Sequence, residues 1–312
     1  MKSISILTSL YMSRDHIINF INEVRENLIK NKTYDFEFII VNDGSPDTSV
    51  QEIEKNFKGK DLNIKIINLS RNFGHHKALL TGMKYCTKDL TFLIDCDLEV
   101  NPNCLLRFYK LMSSNENIDC VYAVSKNKSK LSKKLFFKTI FSNLWASIFK
   151  NFSSYNYNKE QVHARLMKKK YTDGIVNCEH SNPFLVDLYE FVGFNQKFLE
   201  VDYIKRDNTS YSLKKKIDFF YYFFLSNIEK ILKTYFLISI FLVLISFGLI
   251  INFLLNYFLL EISPGYTSTI LLIVFFGSFT LLGTSLACLY VQQVFIDLKK
   301  LPNTIISSII DL

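Results

Sequence analysis

The chain lacks the short motifs that seat a phosphate or a catalytic group by themselves. No G-x-G-x-x-G and no G-x-x-x-x-G-K-[ST] occurs, so dinucleotide and P-loop chemistry have no glycine-lined phosphate cradle. H-E-x-x-H and G-x-S-x-G are also absent, which removes zincin-type proteolysis and the nucleophile elbow of serine hydrolases. The six cysteines, at 86, 96, 104, 120, 178 and 288, never come within three residues of one another. That spacing excludes C-x-x-C metal and redox pairs and reads as reduced thiols acting as small apolar side chains. Arginine is scarce: of 37 basic residues only Arg14, Arg25, Arg71, Arg107, Arg165 and Arg206 are Arg. No basic groove interleaved with aromatics suggests nucleic acid. No secretory leader opens the chain: Met1-Lys2 runs straight into an alternating apolar strand, so the first domain is expected in the cytosol.

What is present is apolar and unevenly spread. Hydrophobic residues make up 49%, aromatics 15% and charged residues 21% of 312 residues, which rules out disorder. From Ile231 onward Lys233, Lys299 and Lys300 balance Glu261, Asp297 and Asp311, so the formal net charge of +8 lies entirely on the preceding residues. The sequence thus divides into a basic domain and a neutral, mostly membrane segment.

In the first half β-branched runs alternate with helical periodicity. Ser3–Ser9, Phe36–Val41, Asn63–Leu69, Leu90–Ile94 and Cys120–Val124 read as strands, with helices between them and turn clusters such as Asn42-Asp43-Gly44-Ser45-Pro46. This order predicts an α/β fold with a doubly wound, mostly parallel sheet, whose strand carboxyl ends share one ligand-binding edge. Val162–Val201, with Arg165, is expected as a smaller helical element. Ser212–Leu232 combines Lys214–Lys216 with six consecutive aromatics and fits a helix in the membrane interface. Tyr235–Leu260 and Tyr266–Ile296 carry no charge, and each exceeds the roughly 20 residues that span a bilayer. Glu261–Gly265 joins them tightly, which predicts a two-helix transmembrane hairpin. Lys230 and Lys233 before it and Lys299 and Lys300 after it put both termini in the cytosol. The expected domains are 1–211 catalytic, 212–232 interfacial, 233–298 transmembrane and 299–312 a cytosolic tail.

The residues just after the strands should converge: Ser9-Leu10-Tyr11, Asp43-Gly44-Ser45, Arg71 to Gly74, and Asp95-Cys96-Asp97-Leu98-Glu99. Carboxylates are the wrong sign for a bare phosphate pocket, and a divalent cation reconciles the two. Asp95-x-Asp97 can reach one hard cation, with Glu99 extending the series; solvated acids in a turn are the plainer reading. Tyr11 could stack on a base or be a boundary aromatic. Asp43 could bond a base or ribose or belong to an ordinary turn. Adjacent His75 and His76 point different ways on a helix, which disfavours a shared metal and leaves a phosphate contact or a structural role. Arg165, Lys205 and Arg206 suit either a specific phosphate or anionic headgroups in general.

Taken in order, S9-L10-Y11, V41-N42-D43-G44-S45-P46-D47, S70-R71-N72-F73-G74-H75-H76 and D95-C96-D97-L98-E99 resemble family 2 glycosyltransferases of GT-A fold. More narrowly the chain resembles the polyprenyl-phosphate glycosyltransferases, which include dolichol-phosphate mannose synthase and bactoprenol glucosyltransferases. A-R165-L-M, G193-F-N-Q196, K205-R-D-N-T209-S210-Y211 and the two spans follow in the family's order. The resemblance implies that Ser9, Tyr11, Asp43 and Ser45 bind the nucleotide-sugar. It implies that Asp95, Asp97 and Glu99 hold Mg²⁺ or Mn²⁺ and the donor diphosphate, and that Arg165, Lys205, Thr209, Ser210 and Tyr211 bind the acceptor phosphate. Asp95, Asp97, Arg165 and Lys205 would carry catalysis. Departures from the pattern are Ser9 for a usual Pro, Met12 for Asn, Asn42 for the first Asp of Asp-Asp-Gly-Ser, and His163 for a frequent Asp.

The implied reaction is inverting transfer of one sugar from a nucleotide-sugar to undecaprenyl phosphate, at the cytosolic face of the inner membrane, for cell-surface glycan assembly or modification. The bilayer is an expected partner and an exposed hairpin favours association between copies. A processive synthase would show Gln-x-x-Arg-Trp, but the one Trp is Trp145, preceded by Asn143-Leu144. The sequence is also compatible with a membrane-anchored transferase acting on a non-lipid acceptor, or with a noncatalytic membrane scaffold.

Overall fold

The computed structural model describes residues 3–30, 35–126, 161–178, 185–204, 235, 237, 266–298 and 302–312. Strands β1 (Ile4–Leu10), β2 (Phe36–Asn42), β3 (Ile64–Leu69), β4 (Leu90–Leu93), β5 (Cys120–Ser125), β6 (Gln161–Lys168), β7 (Gln196–Val201) and β8 (Ile306–Asp311) form one sheet in the order β7-β5-β6-β4-β1-β2-β3-β8. The β1/β2, β1/β4, β2/β3 and β5/β7 pairs are parallel, whereas β6 runs against β4 and β5, and β8 against β3. The sheet is therefore mixed but mostly parallel, as the alternation of elements predicts.

Both faces are covered, because the central strands are apolar on both sides. On one face Ile4, Ile6, Phe38, Ile40, Phe92 and Leu166 pack under α1 (Arg14–Lys30), α2 (Ser49–Phe57) and α4 (Cys104–Ser114). On the other, Leu7, Ile39, Val41, Leu93 and Met167 pack under α3 (His75–Met83), α5 (Lys169–Val176) and α6 (Leu185–Phe191). Burying each such Leu, Ile or Phe side chain contributes roughly 1.5–3 kcal/mol, so these two layers hold the sheet.

Two segments differ from expectation. The stretch expected as a helical element around Arg165 begins with β6, and among its described residues only Lys169–Val176 and Leu185–Phe191 are helical. Ala, Arg, Leu, Met and Lys in Gln161–Lys168 favour helix intrinsically. Insertion between β4 and β5 overrides that preference, because both faces of the strand find apolar cover. The 299–312 segment, expected as a tail, returns to the sheet as β8. Ile66 faces Ile310, Lys65 pairs with Asp311 at 2.6 Å, Asn68 Nδ2 donates to Ser308 Oγ at 3.0 Å, and the Leu312 amide donates to the Ile64 carbonyl at 2.9 Å. Ile310 and Leu312 pack on the first core face and Ile306 on the second.

Residues 212–300 belong, with 148–154, to a second compact unit. Its described part is α7 (Tyr266–Leu298), an unbroken helix over the second apolar segment. The Tyr235 hydroxyl donates to the Phe279 carbonyl at 3.1 Å, and its ring stacks on Phe279 at 5.2 Å. Taken over the described residues, no helix is long and apolar enough to cross a membrane. The side chains of α7 are described only in part, and the expected 212–232 helix and the 235–260 span lie outside the described residues save Tyr235 and Leu237.

If β8 is part of the fold and not a tail, Ile310→Ser should destabilise the sheet by about 1–3 kcal/mol. Thermal unfolding of the full chain in detergent should show a lower midpoint, while Ser307→Ala, which loses only an exposed hydrogen bond from its Oγ to the Asn68 carbonyl, should lower it less.

Candidate active site

Register decides which side chains meet. Leu10 lies beside Asn42 and Leu7 beside Leu93 in the parallel ladders, so the chain leaves β1, β2 and β4 along one edge, delivering Tyr11, Asp43 and Asp95 there. β6 arrives from the opposite direction with Arg165 facing Leu93. Continuing that pairing by two residues sets His163 against Asp95, and the two-residue side-chain period places His163 and Arg165 on the same sheet face.

The loops are pinned by their own polar groups. Asp43 is buried and accepts the amides of Phe73 at 2.7 Å and Gly74 at 3.0 Å, which fixes the entry into α3. Burial pushes its carboxyl above the ordinary 3.8, while those two amides and His75 pull it back. Ser45 Oγ donates to Asp47 Oδ1 at 2.7 Å and accepts the Met12 amide at 2.7 Å. Gly44 has φ +62°, and a Cβ there would lie 2.4 Å from the Arg71 carbonyl carbon, so only glycine lets the β2 and β3 loops touch. Tyr11 stands 45% exposed at the end of β1, open to a planar ligand. Asp97 Oδ1 accepts the Glu99 amide at 3.0 Å across Leu98, whose φ is +59°. The Tyr203 hydroxyl donates to the Glu99 carboxylate, and the Ile204 amide donates to the Glu99 carbonyl at 2.9 Å.

At the centre are three imidazoles beside a carboxylate. Ser9 Oγ meets His75 Nδ1 at 2.9 Å, and His75 Nε2 lies 3.4 Å from Asp95 Oδ1. The His163 ring is centred 4.8 Å from that of His75 and 5.7 Å from that of His76. One ligand atom each of His75, Asp95 and His163 falls within 4.8 Å of the others. Burial and the two neighbouring imidazoles hold His76 well below the usual 6.5, so it stays neutral. Burial pushes the Cys96 thiol up to about 12, which removes it as a thiolate ligand. Among the described residues Asp95, Asp97 and Glu99 do not converge as a three-ligand group.

Below this cluster Arg165 is 1% exposed. Its guanidinium lies 3.4 Å from the Tyr189 ring centroid and 5.3 Å from that of Tyr122. Nε and Nη1 are buried without a hydrogen bond, and the acidic group nearest in effect is Glu190, whose carboxyl the guanidinium pulls down against the larger effect of burial. A guanidinium so enclosed by aromatics is short of acceptors, which is the condition for taking up an anion.

Of the residues the sequence nominates, Ser9, Tyr11, Asp43, Ser45, Asp95, Asp97, Glu99 and Arg165 gather along this edge or just beneath it. Lys205, Arg206, Thr209, Ser210 and Tyr211 lie outside the described residues. His163, Tyr189 and Tyr203 are members that sequence reasoning did not single out as a group. The alternation of His163 with Arg165 was the available signal, and it becomes informative only once the segment is known to be a strand.

The model of the family described as "Glycosyl transferase family 2" matches residues 5–176, which takes in β1 through α5 and every described site residue except Tyr189 and Tyr203. The chain belongs to glycosyltransferase family 2. This glycosyltransferase is 31% identical over 310 residues to a Mycobacterium tuberculosis protein named among glycosyltransferases, an alignment covering 98% of this chain and 88% of that one. It is 24% identical over 223 residues to the undecaprenyl-phosphate 4-deoxy-4-formamido-L-arabinose transferase of Yersinia pestis, covering 70% of this chain and 66% of the relative. A solved Pyrobaculum calidifontis mannosyltransferase, in complex with GDP-Man and Mn²⁺, aligns at 12% identity and TM-score 0.48 over 67% of this chain and 58% of its own, a likeness too slight to carry an argument.

The loop contact at Gly44 is directly testable in this glycosyltransferase. Gly44→Ala adds a methyl where backbone already sits and forces a disfavoured φ, which should cost at least about 2 kcal/mol. Thermal unfolding should show a clear drop in midpoint, whereas Gly59→Ala, whose Cβ meets nothing within 4 Å, should lose only the smaller φ penalty.

Proposed function

We propose that this glycosyltransferase moves one sugar, with inversion, from a nucleotide-sugar to a polyprenyl phosphate at the cytosolic membrane face. The observation that carries the reading is Arg165: a buried guanidinium with Nε and Nη1 lacking acceptors, one strand step from His163 and Asp95. An acceptor phosphate supplies what it lacks. A phosphate monoester is largely dianionic near neutral pH, its second pKa being about 6, so it attacks without a strong general base. The site's task is to hold it in line with the anomeric carbon, and a rigid guanidinium does this in two-point fashion. Direct displacement at that carbon inverts it. Tyr11 fits a base-stacking role, and Asp43 orders the loop beside it.

The divalent cation that the family resemblance implies fits these residues, because Asp95 Oδ1 is buried with no hydrogen bond. Asp95, with Asp97 and Glu99 beside it on the following loop, would hold it, Asp95 as the direct ligand, and when bound it neutralises the leaving diphosphate as a Lewis acid. The Ile204 amide is fixed to the Glu99 carbonyl, which ties the end of the described segment to the Asp97–Glu99 loop.

Membrane attachment rests on the sequence of 235–260 and 266–296, on the flanking lysines, and on β8. Residues 306–311 pair in the same sheet as residues 4–10, which supports a reading in which the chain returns, after the apolar segment, to the side of the bilayer it left. An even number of crossings, as in a hairpin, satisfies this. A polyprenyl tail cannot leave the bilayer, so its phosphate must be met at the surface. The Yersinia pestis relative is named for an undecaprenyl-phosphate acceptor.

Membranes carrying the full chain, incubated with a panel of radiolabelled nucleotide-sugars and polyprenyl phosphate, should yield one labelled lipid. Arg165→Met should raise the KM for the acceptor by tenfold or more, corresponding to about 1.4 kcal/mol or more of charge-assisted hydrogen bonding, and leave the donor KM within about twofold. Asp97→Asn should abolish transfer and leave the protein in the membrane. Equal effects of Arg165→Met on both substrates, or no labelled lipid with any donor, would overturn the acceptor assignment.

A further inference from the structure

The sequence departs from its family's pattern at Ser9 and at His163, and the structure brings both departures onto one side chain, His75. Ser9 Oγ contacts His75 Nδ1 at 2.9 Å, and the His163 ring lies 4.8 Å from the His75 ring. The remaining neighbour is Asp95, whose Oδ1 is buried, accepts no hydrogen bond and stands 3.4 Å from His75 Nε2. We propose that His75, Asp95 and His163 form the divalent-cation site of this chain, and that its two imidazoles make it select Mn²⁺ and the later first-row ions over Mg²⁺. The inference deepens the sugar-transfer reading, with which it shares Asp95.

The donor set argues for this selectivity. Mg²⁺ demands near-octahedral oxygen ligands and sheds water reluctantly, whereas imidazole suits Fe, Ni, Cu and Zn, and Mn²⁺, the weakest binder of the first-row series, still accepts a nitrogen ligand more readily than Mg²⁺ does. A three-carboxylate site would be hard and strongly anionic; one carboxylate with two neutral imidazoles is neither. The other carboxylates have local partners: Asp97 takes the Glu99 amide, and Glu99 takes the Tyr203 hydroxyl. The ligand atoms of His75, Asp95 and His163 lie within 4.8 Å of one another. Ligands about 2.1 Å from a shared ion stand about 3–3.4 Å apart, so small side-chain rotations close the set.

Ser9 completes the arrangement. To ligate through Nε2, His75 must carry its proton on Nδ1 and donate it. The Ser9 hydroxyl, which both donates and accepts, receives that N–H in the loaded state and can reverse its role when Nε2 holds the proton against Asp95. A proline at this position, as is usual in the family, could not. Ser9 is thus a positioning residue for His75, in the manner of the outer hydrogen bonds that fix histidine ligands.

The test uses the full chain in detergent, freed of metal, with neither sugar donor nor lipid present. Mn²⁺ titrated into the wild-type protein should lose its free-ion EPR signal at one equivalent. Pulsed EPR of the bound ion should show ¹⁴N modulation from coordinated imidazole. His163→Ala should weaken Mn²⁺ binding by tenfold or more, and Mg²⁺ should displace Mn²⁺ at least tenfold more readily from His163→Asp than from the wild type. Ser9→Ala should weaken Mn²⁺ binding by a smaller factor. Bound Mn²⁺ without ¹⁴N modulation in the wild type, a reading that needs no variant to fold, would overturn the proposal. So would equal competition by Mg²⁺ in the wild type and His163→Asp. Imidazole-bound Mn²⁺ together with no labelled lipid from any nucleotide-sugar would leave this site standing and remove the lipid-acceptor reading, so the two failures are distinguishable.

Discussion

The reversed pairing of β6 against β4 is the constraint on which the site depends. Parallel strands deliver only their carboxyl ends to the binding edge, so β1, β2 and β4 can bring loops there and little else. A strand running the other way brings its amino end to the same place. With Leu93 opposite Arg165, the residues entering β6 meet those leaving β4, and His163 and Arg165 are added to Asp95 from a segment far away in sequence. A shift of one residue would turn both side chains to the opposite face, under α1, α2 and α4.

That placement also explains the electrostatic character of the edge. Arg165 lies within the sheet layer, between the rings of Tyr122 and Tyr189, where a charge without acceptors is costly. The rings offset part of the cost through their negative faces. Glu190 offsets a further part, and the proposed acceptor phosphate would supply the hydrogen-bond acceptors that Nε and Nη1 lack. Beside it lie three imidazoles and one buried carboxylate oxygen, a donor set that suits a cation. The proposed pairing of a metal with a phosphate would satisfy both.

Much of the fold could be read from the sequence because the first five strands are short β-branched or aromatic runs punctuated by turns, such as Phe36–Asn42 before Asp43-Gly44-Ser45. Their edge-facing residues followed from topology alone. Gln161–Lys168 resisted because six of its eight residues, Gln, Ala, Arg, Leu, Met and Lys, are helix formers and burial on both faces erases alternation. With β6 taken for helix, His163 had no reason to approach His75, and the histidine cluster stayed invisible. β8 escaped for a different reason. Ile306–Asp311 is short and half polar, as suits an edge strand, and its partner β3 precedes it by more than two hundred residues.

The position of β8 bears on biosynthesis. Strands β1 to β7 leave the ribosome before the long apolar segment, but β3 keeps an open edge until Ile306–Asp311 is made. Through that interval the nascent sheet offers unpaired main-chain groups to any neighbouring chain. Closure arrives only once 212–300 has been translated and whatever environment receives that segment has allowed the carboxyl end to return. Pairing of β8 thus marks completion of the sheet: a product cut short anywhere in the apolar region retains the candidate site residues before it but leaves the β3 border adhesive.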